Sequence, residues 1–356
     1  KLSITLEQED LSQLTDEDTR HQEAHRRCKI EARKPFDLSC GPLLRVKIFK
    51  LTDQQHMLLL NMHHIISDGW SMGVLVKEFA HIMAALNQGS QPALPPLDIQ
   101  YLDYSIWQRQ WLGGKTSYQN NSAPQAFSTK PSMLQKQLSY WQHKLAGAAE
   151  SLNLPTDFVR PSIQSFAGGR QYFRLDSQIT KQLKQLAEKQ GCTLYMLLLA
   201  VFNVLLYRYS NQDDICIGSP VANRHYEGTE CLIGLFINTL VLRNQIKGDK
   251  AFTSLLSDIR TTCLEAFENQ YTPFEKIVDL VQPSRNAAIS PLFQVMFILQ
   301  NTPAESLPSG ISAYPLDVAN SKFDITLDLK ESKEGLKGSF EYCTALFKAE
   351  TMTRMA

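Results

Sequence analysis

Two adjacent histidines, His63 and His64, precede an Asp-Gly pair in the stretch NMHHIISDGWS, residues 61–71. An imidazole can take up and return a proton near neutral pH, so either histidine could serve acid–base chemistry. Asp68 could orient a neighbouring group or form a salt bridge, and Gly69 could allow close backbone approach or an unusual φ. The pattern thus favours an acid–base centre, with a pair of packed core histidines as the alternative.

Metal binding is disfavoured by the spacing of the histidines. Histidines that share a metal usually stand four residues apart on a helix, as in HExxH, or come from several elements. Adjacent residues of a strand point to opposite faces, so His63 and His64 cannot both reach one ion without distortion. We therefore expect no metal here, and we expect one histidine to face a cleft while the other packs.

The histidines are predicted to lie at the end of a strand. Two apolar runs, residues 43–51 and 55–66, are joined by a short polar segment and read as a β-hairpin. Beyond them the apolar residues recur at helical spacing, as Leu75, Phe79, Ile82 and Leu86. Gly89 fits the end of this helix. Asp68 and Gly69 would then form the turn from strand to helix.

The rest of the chain predicts a mixed α/β fold in two lobes. Residues 113–134 are polar and rich in Gly, Ser, Asn and Pro, which favours a loop. The later part alternates predicted helices, at 179–190, 193–209 and 252–270, with predicted strands, at 214–222, 292–301 and 323–332. Residues 336–347 could pair with the last strand as a hairpin. We divide the chain into a first lobe (1–108), a polar loop (109–134) and a second lobe (135–356).

The composition is that of an ordinary globular protein. Of 356 residues, 36 are basic and 36 acidic, which gives no general attraction to nucleic acid or to an anionic membrane. Seven cysteines without CxxC or Cys/His spacing indicate neither a disulfide framework nor zinc, and they fit a reducing cytoplasm. The most apolar run, residues 194–207, is too short to span a bilayer and contains Asn203.

The HxxxDG pattern resembles that of acyltransferases related to chloramphenicol acetyltransferase. The doubled histidine of HHIISDG resembles more narrowly the condensation domains of nonribosomal peptide synthetases. Six further segments resemble signatures of that family in the same order: PFDLSCGPLLRVKIFKL (35–51), YLDYSIW (101–107), LYRYSNQDDICIGSPVANR (206–224), IGLFINTLVLR (233–243), NQYTPFEKIVDLV (269–281) and SRNAAISPLFQVMF (284–297). The family's N-terminal signatures are absent, so a domain truncated at the N-terminus, and slightly at the C-terminus, is expected.

The resemblance implies two chloramphenicol acetyltransferase-like lobes in a V-shaped pseudo-dimer, with mixed sheets flanked by helices. It implies amide formation between a donor aminoacyl or peptidyl thioester and an acceptor aminoacyl thioester. Upstream and downstream peptidyl carrier domains would deliver both on phosphopantetheine arms, next to an adenylation domain. No cofactor would be bound covalently to this chain, and neither nucleic acid nor a membrane would be a partner.

The resemblance also assigns roles to the motif residues. His64 would lie at the lobe interface and act as general base or as a positioning hydrogen-bond partner. His63 would pack or hold the loop, and Gly69 would leave room beside the reacting atoms. Asp68 would form a structural salt bridge with Arg224, the alternative being a solvated aspartate that caps the following helix.

Three further residues are less specific candidates for the substrate tunnel: Trp70, Ser71 and Asn238. Asn238 is at least as well explained as strand-end structure. The wording MHHIISDGWS resembles the subtype that joins two L-residues. An epimerisation domain, an acyltransferase that uses free coenzyme A, and a non-catalytic docking module that recruits a tailoring enzyme remain alternatives at this point.

Overall fold

The computed structural model describes residues 4–113, 131–281, 286–300, 307, 310–316 and 320–356. The fold is mixed α/β, as predicted. The strands are β1 (Leu6–Asp10), β2 (Leu44–Lys50), β3 (His56–Met62), β4 (Gly168–Asp176), β5 (Asp214–Val221), β6 (Asn238–Gln245), β7 (Val295–Gln300), β8 (Ile325–Ser332) and β9 (Gly335–Cys343). The α-helices are α1 (Glu17–Arg33), α2 (Gly69–Asn87), α3 (Tyr101–Gly113), α4 (Met133–Leu145), α5 (Ser177–Lys189), α6 (Leu194–Ser210), α7 (Phe252–Glu268), α8 (Phe274–Val281) and α9 (Ala349–Met355).

The chain divides into two compact units that do not follow the chain order strictly. The first unit contains the described parts of Lys1–Tyr101, Arg224–Phe236 and Thr302–Val318. The second contains those of Leu102–Asn223, Ile237–Asn301 and Ala319–Ala356. The lobe boundaries expected from the sequence stay a prediction.

The first unit is built on a three-stranded sheet in the order β1-β2-β3. β1 runs parallel to β2, and β2 pairs antiparallel with β3, with Leu44 opposite Met62 and Lys50 opposite His56. The predicted hairpin is therefore confirmed. Its small core is formed by Leu11, Ala24, Cys28, Phe49, Leu51 and Met57. This hairpin determines where the histidine motif begins, since β3 ends at Met62, one residue before His63.

The turn from β3 into α2 is more structured than the sequence suggested. A short 3-10 helix, His64–Ile66, follows the strand, and α2 begins at Gly69 with Asp68 as its N-cap. The Asp68 carboxylate accepts a hydrogen bond from the backbone N–H of Ser71 at 2.8 Å. Such a bond satisfies one of the N–H groups that a helix leaves free at its start. After α2, Gly89 has a φ of +69°, in agreement with the predicted helix end.

The second unit is built on a six-stranded sheet in the order β4-β9-β8-β7-β5-β6. β5, β7 and β8 are parallel, and the other neighbours are antiparallel, including the predicted β8–β9 hairpin. The large core packs α6 and α7 against this sheet, and its fully buried side chains include Trp141, Phe202, Phe293, Phe297 and Phe347. Asn203 of the apolar helix α6 is buried and donates to the carbonyl of Leu199.

The predicted polar loop is shorter than expected at both ends. Residues 109–113 continue α3, and residues 133–134 already belong to α4. Ser132 caps α4 through reciprocal hydrogen bonds with Gln135, which accounts for the start of this helix. Of the remainder of that prediction, residues 114–130 lie outside the described residues.

Among the residues that the structure describes, no single helix is long and apolar enough to cross a bilayer. The pair Ser177–Lys189 and Leu194–Ser210 meets the length and composition only when taken together, across a bend of 103°. Within the same residues, no three His, Cys, Asp or Glu side chains lie close enough together to bind a metal ion.

Candidate active site

His63 is held in place by its backbone and by its ring. Its backbone N–H donates to the carbonyl of Leu43 at 3.0 Å, so the residue continues the pairing between the ends of β2 and β3. Its Nδ1 accepts the backbone N–H of Ile65 at 3.1 Å, which caps the 3-10 helix. The ring of Phe36 meets the His63 ring edge-on, with 6.0 Å between centroids. His63 therefore has the contacts of a residue that shapes the loop.

His64 differs from its neighbour in both exposure and bonding. It is the first residue of the 3-10 helix, and its side chain is exposed. Among the described residues, none forms a hydrogen bond with its imidazole. Of the two imidazoles in the motif, that of His63 is hydrogen-bonded and that of His64 is available. His64 is also the histidine to which the family resemblance assigns the chemistry.

Asp68 is buried, and both its oxygens are occupied. Its Oδ1 accepts hydrogen bonds from the Ser71 N–H and hydroxyl, each at 2.8 Å, and from Arg224 Nη2 at 3.0 Å. Its Oδ2 accepts the backbone N–H of Phe236 at 3.0 Å. Burial alone would raise the pKa of Asp68, but these hydrogen bonds and the Arg224 charge outweigh it and hold the pKa below its usual value. Asp68 both caps α2 and forms an ion pair, and it is not a solvated aspartate.

Arg224 is as deeply buried as its partner, with a side chain that is 1% exposed. Its Nη1 donates to the carbonyls of Thr229 at 2.5 Å and Leu232 at 2.8 Å. Its guanidinium carbon lies 4.0 Å from the centroid of the Phe236 ring, a cation–π contact. Arg224 therefore holds the segment that follows it, residues 224–236, in a closed loop around its own side chain.

Ser71 joins this segment to α2. Its hydroxyl is fully buried and accepts from Arg224 Nη2 at 2.9 Å and from the Gly234 N–H at 3.1 Å. Its single proton has two acceptors within reach, Asp68 Oδ1 and the Gly234 carbonyl. These bonds saturate the hydroxyl and give Ser71 a structural role that the sequence did not indicate. Its expected place in a substrate tunnel stays a prediction.

Two aromatic side chains fasten the same 224–236 segment. Trp70 donates its indole N–H to the carbonyl of Glu230 at 2.9 Å. Tyr101 donates its hydroxyl to the carbonyl of Leu235 at 2.8 Å, and its ring packs edge-on against Phe236. The motifs YLDYSIW and IGLFINTLVLR contain Tyr101, Leu235 and Phe236, but their spacing along the chain could not reveal the contact.

Gly69 was expected to leave room beside the reacting atoms, and Asn238 was a candidate for the substrate tunnel. Gly69 is exposed and lies outside the positive-φ region, so its conformation does not require glycine. A Cβ built on it would meet no atom within 4 Å, so Gly69 borders open space.

Asn238, in the second unit, donates to the carbonyls of Gln270 and Thr272 at 2.8 Å each and accepts the Phe274 N–H at 3.2 Å. These bonds anchor the start of α8, which agrees with a structural role at a strand end.

The fold of this chain, mixed sheets flanked by helices, is shared with solved structures. It resembles the X-domain in a complex of the X-domain and OxyB from teicoplanin biosynthesis, with a TM-score of 0.84 and 25% identity, over 99% of this chain and 74% of that one. It resembles part of a four-domain nonribosomal peptide synthetase bound to AMP and glycine, with a TM-score of 0.80 and 22% identity, over 100% and 26%.

The sequence comparisons identify the family. The family model described as the condensation domain matches residues 1–356, and the chain belongs to this family. It is 44% identical to a linear gramicidin synthase of Brevibacillus parabrevis, over 95% of this chain and 6% of that protein. It is 41% identical to bacitracin synthase 3 of Bacillus licheniformis, over 91% and 5%. The chain therefore spans about one-twentieth of the length of these relatives. The predicted family is confirmed.

Proposed function

We propose that this chain forms the amide bond between a donor aminoacyl or peptidyl thioester and an acceptor aminoacyl thioester within a longer synthetase. The observation that carries the proposal is the difference in bonding among the residues of the motif. Asp68 and His63 are occupied in fixing the loop, whereas the His64 imidazole is exposed and available. A structural histidine would be expected to make the kind of contacts that His63 makes.

The chemistry needs few groups. The acceptor amine attacks the carbonyl carbon of the donor thioester, the C–N bond forms, and the C–S bond breaks as the thiol leaves. The nitrogen must lose a proton along the way, and the oxyanion of the tetrahedral intermediate must be stabilised. His64 is the residue proposed to take the proton or to orient the amine. Holding the two tethered reactants in line would supply a large further acceleration, since effective molarities can reach about 10^5 M or more.

The partners proposed are an upstream and a downstream carrier domain, each bringing its substrate on a phosphopantetheine arm, and an adjacent adenylation domain. The similarity to a four-domain synthetase supports a chain that works among such neighbours. Joining two L-residues is the proposed subtype, supported by the wording MHHIISDGWS. A cytoplasmic location, the absence of a covalent cofactor and the tunnel roles of Trp70, Ser71 and Asn238 belong to the same proposal.

A docking module is the second candidate. The similarity to an X-domain in complex with OxyB is the observation that favours it, because such a module would bind a second enzyme without acting on the peptide. The intact HHIISDG sequence argues for catalysis, since docking modules of this kind typically lose the histidine motif. The two candidates differ in whether any amide is formed.

The test is single-turnover amide formation by the chain within its synthetase, with donor and acceptor loaded on separate carrier domains. His64→Ala should lower the rate by ~10^2-fold or more. His56→Ala is the matched control, because His56 is also exposed and begins β3, the strand that precedes the motif. Equal rates for wild type and His64→Ala would remove His64 from the chemistry. Carrier binding without any amide would favour the docking module.

Stereochemistry forms a second arm of this experiment. Donors of L and D configuration are offered in turn to the wild-type domain, and the products are separated by chiral chromatography. Amide from the L-donor alone supports the proposed subtype. Preference for the D-donor would replace it, without affecting the proposed role of His64.

A further inference from the structure

A stack of two side chains stands behind the histidine motif. The guanidinium carbon of Arg45 lies 3.8 Å from the centroid of the Phe36 ring, and Phe36 in turn meets the His63 ring edge-on at an interplanar angle of 82°. Neither Phe36 nor Arg45 is near the motif in the sequence. The stack therefore joins the segment after α1, the strand β2 and the motif in one line of contacts.

Arg45 is fixed by the end of helix α1. Its Nη2 donates to the carbonyl of Lys34 at 2.7 Å and to that of Glu31 at 3.2 Å, and its Nη1 donates to the carbonyl of Pro35 at 3.2 Å. The Glu31 carbonyl also accepts the backbone N–H of Lys34 at 3.2 Å, whereas Lys34 and Pro35 follow the last residue of α1. The negative end of the helix dipole favours a cation beside these carbonyls. Three carbonyl acceptors leave the orientation of the planar guanidinium little freedom.

The neighbourhood of Arg45 adds a second restraint. Its Nε lies 2.9 Å from a carboxylate oxygen of Glu31, whose side chain is 8% exposed. This contact lacks the geometry of a hydrogen bond, so it acts as an ion pair. Asn61, opposite Arg45 on β3, donates to the same Glu31 carbonyl at 3.0 Å. Both strands of the hairpin thus donate hydrogen bonds to the end of α1.

The Phe36 ring then limits what the His63 ring can do. Because Nδ1 of His63 accepts the N–H of Ile65, it carries no hydrogen, and the ring hydrogen of the neutral side chain is on Nε2. Rotation of the imidazole would break that bond and release the first turn of the 3-10 helix. Phe36 lies against the ring and opposes this rotation. The backbone that presents His64 is the same turn.

We propose that Phe36, held by Arg45, is a positioning residue that fixes the ring of His63 and thereby the backbone that presents His64. This inference rests on the proposed function for its effect on rate, but its structural part does not. Aromatic edge contacts and cation–π contacts are both attractive, so together they favour the observed orientation of the His63 ring.

The experiment compares Phe36→Leu, which keeps apolar volume without a ring, with Phe36→Tyr, which keeps the ring. The matched control is Phe158→Leu in the second unit, where Lys348 lies over the ring of Phe158 at 5.6 Å. Each variant is labelled with 15N at histidine, and the His63 tautomer is observed by NMR. Amide formation is measured in the synthetase in parallel, with KM for the acceptor separated from kcat.

Phe36→Leu should turn the single Nε2–H state of His63 into a mixture of tautomers. It should also lower kcat by ~10-fold or more, with KM changed by less than about 2-fold, since a small misplacement of a reacting group costs much in rate. Phe36→Tyr should keep the single His63 tautomer and the wild-type kcat. Phe158→Leu should change neither the tautomer nor kcat. Arg45→Lys, which keeps the charge but loses the flat guanidinium, should give the same tautomer mixture in a weaker form.

An unchanged His63 tautomer in Phe36→Leu would overturn the proposal, whatever the rate. A kcat of Phe36→Leu that equals the kcat of Phe158→Leu would also overturn it. If Phe36→Leu does not fold, Arg45→Lys decides the same question. If the wild type forms no amide, the proposed function fails, and the NMR comparison still decides whether Phe36 positions His63.

Discussion

The Asp68 carboxylate and the Arg224 guanidinium form an ion pair at 3.0 Å, with 3% and 1% of their side chains exposed. They are 156 residues apart in the chain, and every oxygen of the aspartate and both terminal nitrogens of the arginine have partners. The pair joins the start of α2 to the 224–236 segment. Its role is therefore to hold the histidine motif against that segment. The His64 side chain takes no part in these bonds.

Removing one partner of this pair should be costly. Arg224→Met leaves the Asp68 charge buried without its cation, and breaking a buried pair in this way typically costs about 3–5 kcal/mol. Urea unfolding should show this loss, and the double variant Asp68→Asn/Arg224→Met should cost less than the sum of the single changes. Arg26→Met is the control, since the Arg26–Glu23 pair is exposed to solvent and should contribute little to stability. Additive costs would show that the two residues act independently.

The same pair should make stability depend on acid. Because the folded-state pKa of Asp68 is lowered, its contribution is complete above the ordinary aspartate pKa, near 3.9, and is lost as the pH falls through the lowered value. The difference in unfolding free energy between wild type and Asp68→Asn should be constant above about pH 5 and should shrink below about pH 4. Urea titrations from pH 3 to 7 measure it. A difference that does not change with pH would mean that the Asp68 charge is not stabilising.

The sequence predicted the elements that carry strong apolar periodicity. The hairpin of β2 and β3, the helix α2 and the apolar helix α6 were found within a few residues of their observed ends. Helix α1 was not predicted, because the residues that it buries are Ala24, Cys28 and Glu31, which form no apolar stripe. An Asp16 cap and i,i+4 ion pairs such as Arg27–Glu23 support the helix in addition to the packing of Ala24 and Cys28.

The residues of the candidate site could likewise be predicted only where the sequence carries a pattern. His63, His64 and Asp68 could be selected because histidine and aspartate at this spacing suggest chemistry, and the partner Arg224 followed from the resemblance to the family. The structural role of Ser71 could not be predicted, because it depends on Gly234, 163 residues away. Phe36 was visible only as part of a family segment, since a ring that packs on a histidine has no signature in the order of residues.

Gly69 allows stability and activity to be separated. A Cβ at this position meets no protein atom, and alanine favours helices over glycine by about 1 kcal/mol, so Gly69→Ala should be as stable as wild type or more stable. If reactants occupy the open space beside Gly69, as the proposed function requires, the rate of amide formation should fall by ~10-fold or more.

The control for this change lies one turn along the same helix. Gly73 also has no atom within 4 Å of its Cβ position, so Gly73→Ala should match Gly69→Ala in stability. It should leave the rate of amide formation at the wild-type value. Wild-type activity in both variants would mean that the space beside Gly69 is not used in the reaction.

Gly234 should tolerate no side chain while Tyr101 keeps its place. A Cβ on Gly234 would lie 2.1 Å from Cδ2 of the Tyr101 ring, closer than any real contact allows. The ring cannot withdraw without loss, because its hydroxyl donates to the Leu235 carbonyl and its edge packs on Phe236. Gly234→Ala should therefore cost about 1–3 kcal/mol in urea unfolding, as overpacking of a filled site does. In a Tyr101→Ala background the same change should cost little, because the obstructing ring is gone. An equal cost in both backgrounds would show that Gly234 is required for another reason, and that the Tyr101 ring does not fasten the 224–236 segment in the way its contacts indicate.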